Sequence, residues 1–422
     1  MFNRLRVAPT KVYLFIEFTA SMCFSMMFVV TSLYEATVAG LTPVQLILVG
    51  TALELSAFLF EVPTGIVADV YSRRLSIIIG YVLMGIGFLM EGFFPLFVTI
   101  LLAQVIWGLG YTFTSGATQA WISDEIGEDS ANKLFLRARR LGLFASLIGM
   151  GLATLVGANH VALPIQVGAI GVILIGITLA IIMPETGFHP TPREDRNTWQ
   201  HMWHTFDQGL AAVRAKPRLM SIVGVGLFYG IYSEGFDRLW VKHFLDTFDL
   251  PVLFGNNEVT FFAALRVAGT VLTILAVRWV EKRVDTSSPI AIGRAMLLVT
   301  GLLSTALIGF AVSPLFLLSL SLYLAINVLR NVAGPLQTAW VNQKLDSKVR
   351  ATIHSMFGQV DAIGQVMGGP IVAVIAAAAG SAVTALVTSG LLLMPAMFFV
   401  SRANFQSVNE ADTEIEPGLA NQ

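Results

Sequence analysis

Charged residues are scarce in this chain. They make up 13% of its 422 residues, whereas about 25% is typical of soluble globular proteins. Hydrophobic residues make up 55%, and the mean hydropathy is +0.74. Because a helix needs about 20 apolar residues to cross a bilayer, the chain has room for about a dozen such spans. The composition excludes an ordinary soluble domain and predicts a protein that crosses the membrane many times.

Other absences from the sequence exclude several classes of function. Cysteine occurs once, as Cys23, which excludes a disulfide framework and a cysteine-based metal site. The sequence contains no phosphate-binding loop, no nucleophile motif and no cluster of metal ligands. The net charge of −1 gives no basis for nucleic-acid binding. We therefore expect no cofactor, no metal and no enzyme activity, and any transport would draw its energy from ion or substrate gradients.

Twelve apolar runs predict twelve transmembrane helices, because lipid tolerates no unpaired backbone groups. The predicted spans are 12–34, 42–67, 75–93, 96–121, 138–157, 162–183, 219–243, 256–278, 289–311, 315–341, 350–378 and 381–400. Most of the 26 lysines and arginines fall in segments that share a side with the N-terminus. By the positive-inside rule this side is the cytoplasm. We predict a monomer in the inner cell membrane, surrounded by lipid bilayer, with both termini cytoplasmic.

The longest connection divides the predicted spans six and six. We expect an N-terminal bundle at 1–183, a cytoplasmic linker at 184–218, a C-terminal bundle at 219–402 and a disordered acidic tail at 403–422. Apolar residues recur at helical spacing in the linker, which predicts an amphipathic helix lying on the membrane surface. They are Trp199, Trp203, Phe206, Leu210 and Val213. Two halves with similar segments in corresponding places are typical of transporters built from repeated bundles.

Charged side chains within the predicted spans are the candidate functional residues. Each costs about 2.5–3.5 kcal/mol on insertion scales, so a charge in a span usually has a function. These residues are Glu17, Glu54, Glu61, Glu234, Asp237, Arg238, Arg266, Arg330 and Asp361. Gln104, Gln119 and Asn327 are polar candidates for lining a cavity. For each charged residue, a structural ion pair or a position near the membrane surface is the alternative.

Spacing within the helices groups several of these residues. Glu61 follows Glu54 by two helical turns, so both lie on one face of predicted span two. A carboxyl group in apolar surroundings can exchange a proton near neutral pH, and Glu54 is the first candidate for a proton or cation site.

Two further groupings are expected in the C-terminal half. Glu234, Asp237 and Arg238 are spaced by three and four residues, so all three can meet on predicted span seven. They would form an outer gate, an internal ion pair or a substrate contact. Arg330 and Asp361 lie near the middle of predicted spans ten and eleven. They would either neutralise each other or lie across the cavity from a substrate, and the pair is the favoured expectation.

The connection between predicted spans two and three has a distinctive pattern. Gly65, Asp69 and the adjacent Arg73 and Arg74 resemble the signature loop of the major facilitator superfamily. Two positions depart from the family pattern: Val70 stands where a base is common, and Ser72 where glycine is common. The twelve spans, the central linker and the segment 184–186 after predicted span six are also similar to the family.

The resemblance implies two six-helix bundles around a central cavity, working by alternating access. It also implies that the loop bridges spans two, four and eleven and holds the inner gate shut. Asp69 would then face the N-terminal end of predicted span eleven. Arg73 or Arg74 would pair with the acids after span four, Asp124 and Glu125.

The segment 115–125 is similar to bacterial drug and tetracycline efflux members of the family. Two features depart from proton-driven exporters of this kind. Gln104 stands where the fourth helix often carries an arginine linked to proton transfer, and predicted span five has no proline. The leading expectation is proton-coupled efflux of small amphipathic or drug-like compounds, with Glu54 or Asp361 as the proton carrier. The alternatives are export or uptake of a specific metabolite or siderophore and, from another class, a non-transporting receptor or membrane enzyme.

Overall fold

The computed structural model describes residues 7–190, 207, 210, 213–214, 216–251, 258–343 and 347–419. Within the last range, side chains are described for residues 356–408. The predicted amphipathic helix of the linker therefore lies largely outside the described residues. Val213, at its end, is fully buried in the core of the C-terminal half.

The described part of the chain is helical and contains no strand. Its helices are α1 (Pro9–Thr37), α2 (Pro43–Ile66), α3 (Arg73–Phe93), α4 (Phe97–Thr114), α5 (Ala117–Ile126), α6 (Glu128–Gly157), α7 (Leu163–Ile182), α8 (Pro217–Thr247), α9 (Glu258–Arg283), α10 (Pro289–Val312), α11 (Phe316–Asn342), α12 (Ser347–Ala379) and α13 (Ala382–Leu419). Helices α4 and α5 together form one broken span. Among the described residues, twelve helical segments are long and apolar enough to cross a membrane, which confirms the predicted number.

Two of the spans are interrupted at the same end. A π-helical turn, Val67–Tyr71, continues α2 before Ser72 caps α3 by accepting a hydrogen bond from the Leu75 amide at 2.9 Å. The fourth span breaks at Gly116, whose φ of +69° is readily adopted by glycine alone. Both interruptions place polar backbone and side chains near the signature loop.

The chain forms two compact units. Unit 1 comprises Met1–His201 with Asp249–Ala264, and unit 2 comprises Met202–Phe248 with Leu265–Gln422. Unit 1 contains α1–α7 and the first turns of α9, and unit 2 contains the rest of α9 with α8 and α10–α13. The core of unit 2 includes Leu219, Met296, Trp340 and Val400, all almost fully buried.

Two helices extend beyond their predicted bounds. Helix α6 begins at Glu128, ten residues before predicted span five. Ala131, Leu134 and Ala138 are buried along one of its faces, so packing holds a stretch that is too polar for a hydropathy signal. Helix α13 runs to Leu419, whereas we had expected the chain to be disordered from residue 403. Packing accounts for the first part of this extension, since Ser407 is buried and the Ser221 hydroxyl donates to Gln406 Oε1 at 3.1 Å.

Helices α8 and α12 cross in unusually close contact. A Cβ atom added at Gly230 would lie 2.2 Å from the Asp361 carbonyl oxygen, and one at Gly364 would lie 2.4 Å from the Leu227 carbonyl oxygen. Small residues at helix crossings let the backbones of membrane helices approach. The crossing therefore fixes the position of Asp361 relative to α8.

We predict that Gly364→Ala destabilises unit 2, because the new methyl group would press on the backbone of α8 and force the helices apart. Overpacking of this kind costs about 1–3 kcal/mol. Gly358→Ala is the matched control on the same helix, since a Cβ at Gly358 meets nothing within 4 Å. The melting temperatures of the two purified variants should differ, with Gly364→Ala lower. Equal melting temperatures would contradict the close crossing.

Candidate functional site

The signature loop is held by an ion pair inside unit 1. The Arg73 guanidinium pairs with the Asp124 carboxylate of α5, as the family resemblance implied. It lies 3.9 Å from the Asp69 carboxylate and 5.9 Å from the centroid of the Phe188 ring. Arg73 thus joins the start of α3 to the end of the fourth span.

The carboxylate of Glu185 holds the other side of the loop. Its two oxygens accept hydrogen bonds from the Ser72 hydroxyl at 2.7 Å and from the Arg74 amide at 2.9 Å. Both donors lie at the N-terminus of α3, where unpaired amides and the helix dipole favour a negative charge. Ser72 therefore gives this loop a helix cap and a link to the segment after α7, which the glycine common at this position would not provide.

Glu125 has different partners from those expected. It accepts hydrogen bonds from the Thr186 hydroxyl at 2.7 Å and the Gly187 amide at 2.8 Å. Arg74 donates through its side chain to the Ala180 carbonyl oxygen of α7. The loop is therefore joined to α7 as well as to α5. Gly65 has open space around it, since a Cβ there would meet nothing within 4 Å.

The two acids of α2 face the fourth span, with Glu61 at its break and Glu54 two helical turns earlier on the same face. The hydroxyl of Ser115, at that break, donates to Glu61 Oε1 at 3.1 Å. The Tyr111 hydroxyl, one helical turn earlier, lies within electrostatic range of both Glu61 and Glu54. Glu61 is exposed and Glu54 is half-buried. Broken helices commonly form ion and substrate sites in transporters, so this acidic face of α2 is the first candidate site.

Glu17 has partners on two helices. It lies within electrostatic range of the Tyr13 hydroxyl on its own helix and of Arg139 on α6. A Cβ added at Gly142 of α6 would lie 3.5 Å from its carboxylate. These contacts support the structural alternative for Glu17, a charged link between α1 and α6.

The three polar residues expected to line a cavity lie in three different surroundings. Gln104 is buried inside unit 1 and donates to Glu91 Oε2 at 3.0 Å. Gln119 is exposed on α5. The side-chain amide of Asn327 donates to the Tyr323 carbonyl oxygen of its own helix at 2.9 Å.

Sequence reasoning missed Glu91, which is 1% exposed in α3 and also accepts, through its backbone carbonyl, a 2.7 Å hydrogen bond from the Tyr34 hydroxyl. Glu35, next to Tyr34, is equally buried and was missed as well. Glu91 lay within predicted span three, so its charge in an apolar run was the available signal.

In unit 2, Arg330 of α11 forms a two-pronged ion pair with Asp237 of α8. Its Nη2 donates to Asp237 Oδ2 at 2.7 Å, and Nη1 donates to the other oxygen. The guanidinium also lies 5.8 Å from the Tyr232 ring and 5.4 Å from the Phe236 ring. The expectation that Arg330 pairs with Asp361 is therefore wrong. The parallel donors of the arginine match one carboxylate, which Asp237 presents.

The remaining charged residues of unit 2 separate into smaller groups. Arg238 lies 3.5 Å from Glu234 along α8, so these two meet as expected while Asp237 turns to α11. Asp361 accepts a hydrogen bond from Gln365 of its own helix at 2.8 Å. Arg266 of α9 lies 5.6 Å from the Trp240 ring.

Among the described residues, twelve apolar spans with charged side chains paired inside several of them define a polytopic membrane protein. The family model of the Major Facilitator Superfamily matches residues 13–369, and the chain belongs to this superfamily.

A Bacillus subtilis relative, the uncharacterized MFS-type transporter YxaM, is 25% identical over 359 residues, which are 84% of this chain and 86% of that protein. A second relative, MJ1317 of Methanocaldococcus jannaschii, is 32% identical over 91 residues, 22% of this chain and 21% of that protein.

Solved transporters share the fold. A bacterial homologue of the human lysosomal transporter Spinster, in an inward-facing and unoccupied conformation, has a TM-score of 0.72 at 16% identity, covering 96% of this chain and 98% of that one. The nucleoside transporter NupG has a TM-score of 0.71 at 15% identity, covering 95% and 99%. A peptide transporter bound to alafosfalin has a TM-score of 0.66 at 14% identity, covering 93% and 95%. At these identities the likeness concerns the fold alone.

We predict that Asp237→Asn destabilises unit 2, because it leaves the Arg330 charge among aromatic rings without its counter-ion. Removing one partner of a buried ion pair costs about 3–5 kcal/mol, and partial exposure of this pair places the cost toward the lower end. The double variant Asp237→Asn/Arg330→Gln should recover part of the loss. Thermal unfolding of the two single variants and the double variant measures the coupling. Strictly additive losses would show that the two residues do not interact.

Proposed function

We propose that this chain is a proton-coupled secondary transporter that works by alternating access and exports small amphipathic or drug-like compounds. The observation that carries the proposal is the acidic face of α2, where Glu61 accepts a hydrogen bond from Ser115 at the break and Glu54 lies within electrostatic range of Tyr111 in the same span. A carboxyl that meets water in one state and protein in the other binds and releases a proton as its surroundings change. Glu54 is the proposed proton carrier, and Glu61 is the neighbouring acid nearer the break at Ser115.

The proposed substrate class follows from the side chains around the charged residues of unit 2. Arg330 lies against Tyr232 and Phe236, and Arg266 lies against Trp240. Aromatic faces combined with charge suit compounds that have an apolar ring and a polar group. Efflux is the proposed direction, from the similarity of 115–125 to efflux members.

We also propose that the protein works as a monomer in the inner cell membrane, with both termini in the cytoplasm. The distribution of lysine and arginine supports this orientation. It would place the signature loop, the end of α5 and the segment after α7 on the cytoplasmic side.

Glu54→Gln should abolish proton-coupled transport, because glutamine keeps the shape of the side chain and cannot release a proton. Purified protein would be reconstituted into liposomes that contain a pH dye and carry an imposed pH gradient. Three probes share one ring: naphthalene-1-sulfonate, its neutral sulfonamide and naphthalene-1-methylammonium. Wild-type protein should couple movement of at least one probe to proton flux.

Glu54→Asp is the matched control, since it keeps the titratable group and should retain part of the coupling. Proton-coupled transport by Glu54→Gln at the wild-type rate would remove Glu54 from the proposed role. Absence of proton flux with all three probes and wild-type protein would count against proton-coupled export of such compounds.

The signature loop is the proposed inner latch, and its two acids should behave differently. Asp69 is 59% exposed and 3.9 Å from Arg73, so Asp69→Asn should leave the melting temperature unchanged and slow transport without weakening probe binding. Asp124→Asn breaks the main ion pair of Arg73 and should lower the melting temperature by about 2–4 °C. Melting curves, probe titrations and transport rates separate the two effects. Lost probe binding in Asp69→Asn would overturn its assignment to the latch.

A further inference from the structure

Arg266 is the candidate arginine of unit 2 that has no ion pair in the described structure. It lies within a membrane span, about 12 Å along α9 from Glu258 at 1.5 Å per residue. Its backbone carbonyl oxygen accepts a hydrogen bond from the Thr270 hydroxyl. Its guanidinium lies against the Trp240 ring, and its Nε is buried without a hydrogen-bond partner. Among the residues the structure describes, no carboxylate lies within 4.0 Å of its guanidinium. An arginine inside a bilayer that lacks a counter-ion is costly.

The side chains around Arg266 place its guanidinium among buried residues of unit 2. Trp240 is 5% exposed and stacks on Tyr323 of α11 at 4.5 Å between ring centroids. The guanidinium over this pair therefore lies between α8, α9 and α11. Asn327, one turn further along α11, faces the same side of α9, since a Cβ at Gly269 would lie 3.9 Å from Asn327 Cβ.

The two arginines of this region differ in one respect. Arg330 is neutralised by Asp237, and Arg266 has no such partner in the described structure. The hydroxyl of Tyr323 lies within electrostatic range of both arginines and of Asp237. Asp361 also lies within electrostatic range of Arg330 and Asp237, so Arg330 has two carboxylates near it. Arg266, beside the stacked aromatic pair, has no carboxylate within 4.0 Å among the described residues.

We propose that Arg266 is the anion-binding residue of the substrate site, and that the transported compound carries a negatively charged group next to an aromatic or apolar ring. The anionic group would accept hydrogen bonds from the guanidinium, and the ring would pack on the Trp240–Tyr323 pair. A planar guanidinium can bind a carboxylate, sulfonate or phosphate with two parallel hydrogen bonds. This inference rests on the proposed export function and names the charge of its substrate.

An anionic lipid headgroup offers the same chemistry as a free organic anion. The position of Arg266 favours the free compound, because its guanidinium lies over a buried tryptophan rather than extending along α9 toward the membrane surface. A lipid that occupied the site would compete with the probe, so the two sources can be separated in one titration.

The test is equilibrium binding to purified full-length protein in a neutral detergent, with naphthalene-1-sulfonate and its neutral sulfonamide as probes. Wild-type protein should bind the sulfonate more tightly than the sulfonamide, because a hydrogen bond to a charged group adds about tenfold or more in affinity. Arg266→Gln should lose this preference, and Arg266→Lys should keep part of it. Arg278→Gln is the matched control, since Arg278 is exposed on the same helix.

The variants must melt near the wild-type temperature without ligand, and the partly active Arg266→Lys guards against a fault in folding. Equal affinity for the two probes in wild-type protein, no binding of the sulfonate, or an unchanged preference in Arg266→Gln would each overturn the inference. Displacement of the sulfonate by low concentrations of phosphatidylglycerol would assign the site to lipid and overturn it too. Proton-coupled transport restricted to the methylammonium or sulfonamide probe would leave the proposed function standing and remove the anion site alone.

Discussion

A charge inside a lipid bilayer must have a partner, and this requirement explains much of the side-chain arrangement described here. Water is absent from the hydrocarbon region, so each buried ion must find its counter-charge or hydrogen bonds within the protein. Arg330 does so with Asp237, and Arg238 with Glu234. Because these pairs join one helix to the next or brace a single helix, they stabilise unit 2 as well as neutralise it.

The two units meet this requirement in different ways. In unit 1 the ion pair of Arg73 and the bonds of Glu185 lie at one end, in the connections between helices. In unit 2 the main ion pair lies within the spans, on α8 and α11. Polar groups at the end of unit 1 are therefore suited to fixing the shape of that end, whereas the main ion pair of unit 2 joins two spans to each other.

The sequence predicted most of the fold and a smaller part of the site. The spans could be predicted because an apolar run in lipid has to be helical, and the Arg73–Asp124 pair followed from the family resemblance. The partner of Arg330 could not be predicted, since Asp237 is 93 positions away and the depth of Asp361 in its span favoured Asp361 instead. Hydropathy also missed the first turns of α6, where helical periodicity at Ala131, Leu134 and Ala138 was the better signal. The burial of Glu35 depends on the packing of its helix, which hydropathy does not report.

The contacts of the signature loop change how its role is understood. Alternating access requires each bundle to move largely as one body while the contacts between bundles change. The loop's ion pair and hydrogen bonds join α3, α5 and the segment after α7, all within unit 1. They therefore act first as the brace that makes this end of the unit rigid. Asp69, whose side chain is mostly exposed, is the acidic residue of the loop that the proposed latch would use. In the proposed latch, a force on the exposed carboxylate of Asp69 would move whole helices, because the loop that carries it is rigid. A flexible connection would absorb the same force.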